Sequence, residues 1–183
     1  MRIAVFCGSK SGNRPEYVEA AQQLGRLLAK RRIGLVYGAG HVGLMGILAD
    51  AALAAGGQVI GVIPNSMVEA ELAHRQLTEL VIVETMHERK ALMAEKADAF
   101  IALPGGFGTA DEFFEIVTWK QIRLHAKPIG LLNVAGYFDP LLAWIERVFS
   151  EGFASAKYRS LIEVSTVSED LVDRLISKTT LPA

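Results

Sequence analysis

Residues 100–112 read FIALPGGFGTADE, and this stretch decides how the chain folds. The apolar run Phe100–Leu103 predicts a short buried strand. Three glycines follow within the four positions 105–108, and a helix is expected over residues 110–125. A strand, a glycine-rich turn and a helix in this order are typical of the units that build α/β sheets.

The same alternation runs through the rest of the chain. Unbroken apolar runs predict strands buried on both faces, as in a parallel sheet. The predicted strands are Ile3–Cys7, Leu35–Tyr37, Val59–Ile63, Leu80–Val83, Phe100–Leu103, Ile129–Leu132 and Leu161–Val164. Helices are expected near residues 16–31, 44–55, 86–97, 110–125, 138–151 and 169–177. The sequence therefore predicts an α/β fold, a Rossmann-like doubly wound parallel sheet with helices on both faces.

Composition excludes several classes of protein. Nineteen Lys and Arg against twenty Asp and Glu give a net charge of −1, which provides no footprint for nucleic acid or an anionic membrane. The single cysteine, Cys7, excludes a disulfide framework, and the four scattered histidines predict no metal site. The apolar N-terminal run is too short for a signal peptide, and no stretch is long enough to span a bilayer. We expect a cytoplasmic protein without membrane or nucleic-acid partners.

Three glycine-rich turns follow predicted strands. In an open parallel sheet, ligands bind beyond the carboxyl ends of the strands. Glycine lets the backbone approach a ligand closely, and the helix that follows offers free N–H groups to an anion. The turns lie at Gly8–Gly12, Gly38–Gly43 and Gly105–Thr109. They predict a phosphate-bearing ligand and a single nucleotide-binding α/β domain over residues 1–183.

The second turn matches the dinucleotide fingerprint, with glycines at positions 38, 40 and 43. That fingerprint also needs an acidic residue at the end of the next strand to hold the ribose hydroxyls. Here the strand Val59–Ile63 ends in Pro64 and Asn65, and the turn follows the second strand instead of the first. A mononucleotide or sugar phosphate therefore fits better than NAD or FAD, and no cofactor is expected.

Two helix starts carry charged residues. Thr109 and Glu112 have the spacing of a capping box, which could by itself explain both side chains but not the three glycines before them. The pair Thr85 and Glu88 repeats the spacing, followed by Arg89 and Lys90 where the helix dipole disfavours cations. Because this second helix precedes the strand Phe100–Leu103, its start is expected at the opposite rim of the sheet unless the helix kinks or the connection is unusual.

Together these residues resemble a known family. Residues 104–112, PGGFGTADE, match the PGGxGTxxE motif of the LOG ("lonely guy") phosphoribohydrolases, and residues 86–90, MHERK, match that family's MHxRK element. Further similarity lies at the Gly8-Ser9 turn, YGAGHVGLMG (37–46), Glu71-x-Ala73-His74, Thr118-Trp119-x-Gln121, residues 127–134 and Gly136-Tyr137-Phe138. The similarity covers the chain from Ile3 to about Phe153. Ala39, Phe107 and Lys10 depart from residues common in the family.

The resemblance implies hydrolysis of an N6-substituted adenosine 5′-monophosphate, a cytokinin riboside monophosphate, to the free base and ribose 5-phosphate. It implies that Arg89 and Glu112 are the catalytic pair and that the enzyme is a homodimer. The substrate-binding residues it implies, together with the glycine turns, are Glu71, Arg89, Lys90, Gly105, Gly106, Phe107, Gly108, Thr109, Ala110, Asp111, Glu112, Thr118, Gly8, Ser9 and Gly40. Members of the family have also been labelled lysine decarboxylases, and nothing in this sequence argues for that activity.

The chemistry of the residues agrees with this implication. Cleavage of an N-glycosidic bond passes through an oxocarbenium-like state, which a carboxylate such as Glu112 can stabilise while it activates water. Two alternatives stay open at this point. One is an AMP nucleosidase. The other is a non-catalytic nucleotide-binding protein like the molybdenum-cofactor carriers, which would have no need of Arg89 and Glu112 together.

Overall fold

The computed structural model describes residues 1–69 and 73–179. Strands and helices alternate along them, as the sequence predicts. The strands are β1 (Arg2–Phe6), β2 (Gly34–Tyr37), β3 (Val59–Pro64), β4 (Glu79–Val83), β5 (Ala99–Ala102), β6 (Ile129–Leu132) and β7 (Ile162–Ser165). The helices are α1 (Pro15–Lys30), α2 (Gly43–Ala54), α3 (Asn65–Glu69), α4 (Met86–Lys96), α5 (Phe107–Gln121), α6 (Asp139–Ser150) and α7 (Ser168–Thr179). Short 3₁₀ turns cover Val134–Gly136 and Ala156–Leu161.

All seven strands belong to one parallel sheet in the order β4-β3-β2-β1-β5-β6-β7. Side chains of β1 alternate between the two faces: Ile3 and Val5 join a core with α1, α2 and α7, whereas Ala4 and Phe6 join one with α4 and α5. The predicted doubly wound sheet with helices on both faces is thus confirmed.

The edge strands differ from the prediction that every strand is buried on both faces. The strands β4 and β7 are only partly buried, and Ile82 on β4 is 51% exposed. Each of these strands has a neighbour on one side only, and the helices cover the centre of the sheet more fully than its edges. An unbroken apolar run therefore identifies a strand here without revealing its place in the sheet.

The sheet has its topological switch point between β1 and β5. From β1 the chain moves outward to β4, and it then returns to β5 on the other side of β1. The turns after these two strands meet there, because the Gly8 N–H donates to the Pro104 carbonyl at 3.1 Å. Open α/β sheets bind ligands in the crevice at such a point.

Both expectations about the charged helix starts need correction. The helix α5 begins at Phe107 with Gly106 as its N-cap, so Thr109 and Glu112 do not form the predicted capping box. The helix α4 begins at Met86, and its first turn lies at the carboxyl edge of the sheet, not at the opposite rim. The reason is connectivity: α4 leaves the carboxyl end of β4 and runs back antiparallel to the strands.

Candidate active site

The three glycine turns converge at the switch point. The Met45 N–H donates to the Gly8 carbonyl at 3.3 Å, which ties the first turn to the start of α2. Gly43 adopts a φ of +62°, and a Cβ there would lie 2.4 Å from the Lys10 nitrogen. A Cβ on Gly105 would lie 2.8 Å from the Gly8 nitrogen. Glycine at these positions lets three backbone segments pack together around one crevice.

A cavity of about 260 Å³ opens in this crevice. Its walls are Gly8, Ser9, Lys10, Ser11, Gly12, Tyr17, Leu44, Pro104, Gly105, Gly106 and Tyr137. The first turn of α5 begins beside it, and the leading N–H groups of a helix have no partners within the helix. A Cβ on Gly106 or Gly108 would meet nothing within 4 Å, so packing within the described protein does not demand glycine at either position. The open space in front of them suits the close approach of an anionic ligand.

Arg89 is a buried cation held by the ends of two strands. Its Nε donates to the Val62 carbonyl at 3.1 Å, and its Nη2 donates to the Gly38 carbonyl at 2.9 Å. A Cβ on Gly38 would lie 1.6 Å from Nη2, so only glycine leaves room for the guanidinium. The Glu88 N–H donates a capping hydrogen bond to Thr85 Oγ1 at 3.1 Å, which fixes the start of α4, the helix that carries Arg89. The predicted capping role of Thr85 is thereby confirmed.

Glu112 faces the remaining nitrogen of this guanidinium. Its Oε1 lies 3.7 Å from Arg89 Nη1, which is an ion pair but too long for a hydrogen bond. The side chain is only 12% exposed. Burial raises the pKa of Glu112 to about 7, an effect that the charge of Arg89 only partly offsets. The carboxyl group is therefore poised to gain or lose a proton near neutral pH.

Further groups border the pair. Cys7 is a buried thiol, and its burial, followed by the charge of Glu112, raises its pKa. Lys90 Nζ contacts Asp111 at 2.9 Å and Glu115 at 3.1 Å. Burial lowers the pKa of Lys90, but these hydrogen bonds raise it overall. The residues implied by the resemblance at positions 90 and 111 thus join α4 to α5 beside the Arg89–Glu112 pair.

The other predicted site residues fall into distinct places. Thr109 is buried, with its Oγ1 where a Cβ on Gly105 would point, and Gly40 pairs with Ala73 in an isolated antiparallel bridge. Phe107 is 97% exposed. Thr118 lines a different cavity, with Phe114 and Trp144, about 9 Å along α5 from Glu112. Glu71 lies outside the described residues.

An apolar cavity of about 640 Å³ adjoins the first one. The two share Gly105, Gly106 and Tyr137, and the second is lined mainly by Phe107, Ala110, Phe113, Phe138, Leu141 and Trp144. The helix α6 borders this cavity and has no fully buried residue, although its sequence is rich in apolar side chains. Trp144 on α6 is 55% exposed.

Sequence reasoning did not find the specific contacts of Gly38 and Tyr137. Gly38 was predicted to belong to a ligand-binding glycine turn, whereas the structure shows that it leaves room for the Arg89 guanidinium. Tyr137 stood in a stretch that matches the family, but only the fold brings it from the turn after β6 to Gly105.

Over residues 1–69 and 73–179, no group of three His, Cys, Asp or Glu side chains is placed to hold a metal ion. In the same ranges, no helix is both long and apolar enough to cross a membrane.

Comparisons with known proteins place this chain in a family. A family model described as "Possible lysine decarboxylase" matches residues 45–175. LOG7 of Arabidopsis thaliana, a cytokinin riboside 5′-monophosphate phosphoribohydrolase, is 50% identical over 174 residues, covering 95% of this chain and 80% of LOG7. LOG2 of the same plant, with the same activity in its name, is 50% identical over 161 residues, covering 88% and 76%.

Solved structures agree on the fold. The molybdenum cofactor binding protein from Rippkaea orientalis superposes with a TM-score of 0.75, covering 98% of this chain and 97% of that protein at 21% identity. This likeness concerns the fold alone, whereas the identities to LOG7 and LOG2 extend over nearly the whole chain. The chain therefore belongs to the LOG family of cytokinin riboside 5′-monophosphate phosphoribohydrolases.

Proposed function

We propose that this protein is an N-glycosyl hydrolase that converts N6-substituted adenosine 5′-monophosphates to the free base and ribose 5-phosphate. The observation that carries the proposal is the buried Arg89–Glu112 pair, 3.7 Å apart, beside a glycine-lined crevice. The sequence identity of 50% to two enzymes named for this activity supports the proposal. A protein that only binds nucleotides would need the crevice but not a poised carboxylate, so the molybdenum-cofactor-carrier alternative is not favoured.

The crevice at the switch point would hold the 5′-phosphate. The backbone of Gly8, Ser9, Gly105 and Gly106 lines it, and the first turn of α5 supplies unpaired N–H groups and the positive end of a helix dipole. Binding energy from the phosphate, remote from the bond that breaks, can be used to stabilise the transition state. Nucleosides without the phosphate would then be poor substrates.

Glu112 would act on water and on the developing ribosyl cation. In hydrolysis the bond between C1′ and the base nitrogen breaks, its electron pair moves to the base, and C1′ gains the oxygen of water. With a pKa of about 7, Glu112 is substantially ionised at neutral pH, so it can accept the proton of the attacking water. Transfer of that proton from Glu112 to the departing base releases the neutral base and restores the carboxylate.

Arg89 would act as a fixed positive charge. Two of its nitrogens are taken by the Val62 and Gly38 carbonyls, and Nη1, which donates to Met86 Sδ at 3.3 Å, also faces Glu112. The guanidinium can therefore orient the carboxylate without rotating, and it can contact the ribose or phosphate of the substrate from the same position. Neither role uses a metal or a redox cofactor.

We also propose one nucleotide-binding domain over residues 1–183, a homodimer, and a cytoplasmic location without nucleic-acid or membrane partners. The apolar side chains of α6 and the exposed Phe107 and Trp144 support an interface with a second copy. Thr118 lies away from Glu112 in its own subunit. In a homodimer, the Thr118 of one copy could instead contact the substrate bound by the other copy. The net charge of −1 and the single buried cysteine support the location and the lack of polyanionic partners.

Chromatography of reaction products tests the activity. The purified protein is incubated with N6-isopentenyladenosine 5′-monophosphate, AMP and N6-isopentenyladenosine, and the released bases are quantified. We expect release from the first compound and little from the nucleoside. Faster release from AMP would identify an AMP nucleosidase, and tight binding of all three without release would identify a binding protein.

A further inference from the structure

The loop between β6 and α6 is rigid and lies at the carboxyl edge of the sheet. Asn133 is buried: its side-chain oxygen accepts from the Phe138 N–H at 2.8 Å, and its Nδ2 donates to Asp139 at 2.7 Å. Between these anchors Ala135 and Gly136 both have positive φ, 51° and 73°. Such conformations cost free energy, especially for alanine, and persist where the surrounding structure enforces them. The loop therefore has one well-defined shape.

This loop presents Tyr137 to the glycine crevice. The Tyr137 hydroxyl donates a hydrogen bond to the Gly105 carbonyl. Its ring packs edge-on against Tyr17, with centroids 5.6 Å apart, and against Phe138 at 4.9 Å. Tyr137 also lines both the crevice and the apolar cavity next to it. The side chain thus stands between the two spaces, bonded to the turn that they share.

The bonded carbonyl belongs to a peptide unit with little stiffness of its own. Gly105 and Gly106 flank this peptide, and glycine populates both signs of φ at similar cost, so the unit could rotate easily. In a trans peptide the C=O of one residue and the N–H of the next point in opposite directions. A bond that holds the Gly105 carbonyl therefore also fixes the direction of the Gly106 N–H, at the N-cap of α5.

We propose that Tyr137 is a positioning residue for phosphate: it locks the Gly105–Gly106 peptide so that the Gly106 N–H is already aimed at the anion before the ligand arrives. The inference rests on the proposed phosphate-binding role of this turn. It adds a residue from the β6–α6 loop that acts through the turn, and it explains how two glycines with few conformational restraints of their own can form a pre-organised site. Pre-organisation strengthens binding by reducing what must be ordered when the ligand arrives.

Tyr137→Phe tests the inference, because it removes only the hydroxyl from a partly exposed ring. Titration calorimetry measures the Kd of ribose 5-phosphate and, separately, of the free base N6-isopentenyladenine. We expect the Kd of ribose 5-phosphate to rise about threefold to tenfold, the range for one lost hydrogen bond, while the Kd of the base changes less than about twofold. Tyr158→Phe is the matched control, since it removes the same hydroxyl from a tyrosine that does not line the crevice, and it should leave both values within about twofold.

A second measurement observes the peptide itself. In protein labelled with ¹⁵N-glycine and free of ligand, the Gly106 amide should give one sharp resonance, which Tyr137→Phe should broaden or double. An unchanged Kd for ribose 5-phosphate, an equal loss for sugar phosphate and base, or an unaltered Gly106 resonance would each overturn the inference. These readouts need no turnover, so a protein that bound ribose 5-phosphate but released no base would refute the proposed activity and still test Tyr137.

Discussion

Replacing Glu112 by glutamine removes a charge and a base from the candidate site while preserving the shape of the side chain. The structure makes this a clean perturbation, because α5 begins at Phe107 and Glu112 plays no part in capping it. We expect turnover to fall by about a hundredfold or more, the usual range for loss of a general base, equal to at least about 2.7 kcal/mol in the activation free energy. Glu115→Gln, one turn along the same helix, is the matched control and should retain activity within about fivefold.

The same substitution has a consequence for stability with a defined pH dependence. Burial raises the pKa of Glu112 from 4.5 to about 7, so between these values the folded protein holds a proton that the unfolded chain releases. The free energy of unfolding contributed by this group is therefore fully present below pH 4.5 and is lost as the pH rises to 7. The loss amounts to about 3 kcal/mol at most. Glutamine is neutral throughout, so this pH dependence should disappear in Glu112→Gln.

Two assays check these expectations. Base release between pH 5 and 9 gives kcat at saturating substrate and kcat/KM below saturation. The kcat/KM profile reports the pKa of the free enzyme, and its rise near pH 7 should be absent from the variant. Urea unfolding at pH 5 and pH 8 gives the free energy of unfolding, which should fall with pH more steeply in the unmodified protein. A folded Glu112→Gln protein with nearly full turnover would refute the catalytic assignment. An unchanged pH dependence of stability would refute the raised pKa.

Three further predictions concern Gly38, Arg89 and the absence of a metal requirement. Gly38→Ala should lower kcat/KM by about a hundredfold or more, since the new Cβ would lie 1.6 Å from Arg89 Nη2; a folded variant with normal kinetics would contradict the buried arginine. Arg89→Lys should be similarly impaired in base release despite keeping the charge, because an ammonium group cannot bond the Val62 and Gly38 carbonyls with the geometry of a planar guanidinium. Activity should survive dialysis against EDTA, and a loss restored by zinc or magnesium would reveal a metal requirement.

The sequence predicted the fold well because its signals are local. Each apolar run is short, is bounded by turn residues and recurs at intervals filled by helix-length segments, which leaves a parallel α/β sheet as the simplest arrangement. The run Ile3–Cys7 corresponds to β1, and Phe100–Leu103 corresponds to β5. The same logic placed the glycine turns together at one edge of the sheet. The edge positions of β4 and β7 were not predictable, since they depend on which strands become neighbours.

The setting of Arg89 was beyond the reach of sequence reasoning. An arginine in the first turn of a helix usually lies at the surface. Its acceptors here come from position 62 on β3 and position 38 just after β2, which the sheet brings beneath the helix. The start of α5 was hidden for another reason. Thr109 and Glu112 have the spacing of a capping box, but the glycine-rich turn lets the helix begin three residues earlier, at Phe107 instead of residue 110. The spacing of these two residues matches a capping box, but neither residue caps the helix in the structure.

The anchoring of Arg89 also accounts for the unusual state of Glu112. A guanidinium bonded through two nitrogens to a carboxylate would lower its pKa and hold it as a structural ion pair. Here the strand carbonyls of Val62 and Gly38 take those two nitrogens, and Glu112 receives only the field of the charge from 3.7 Å. Burial then outweighs that field and sets the pKa near 7. Gly38 thus influences the proton affinity of Glu112, which lies 74 positions further along the chain. It does so by leaving room for the Arg89 guanidinium, whose bonds to the two carbonyls leave the Glu112 carboxyl group able to react.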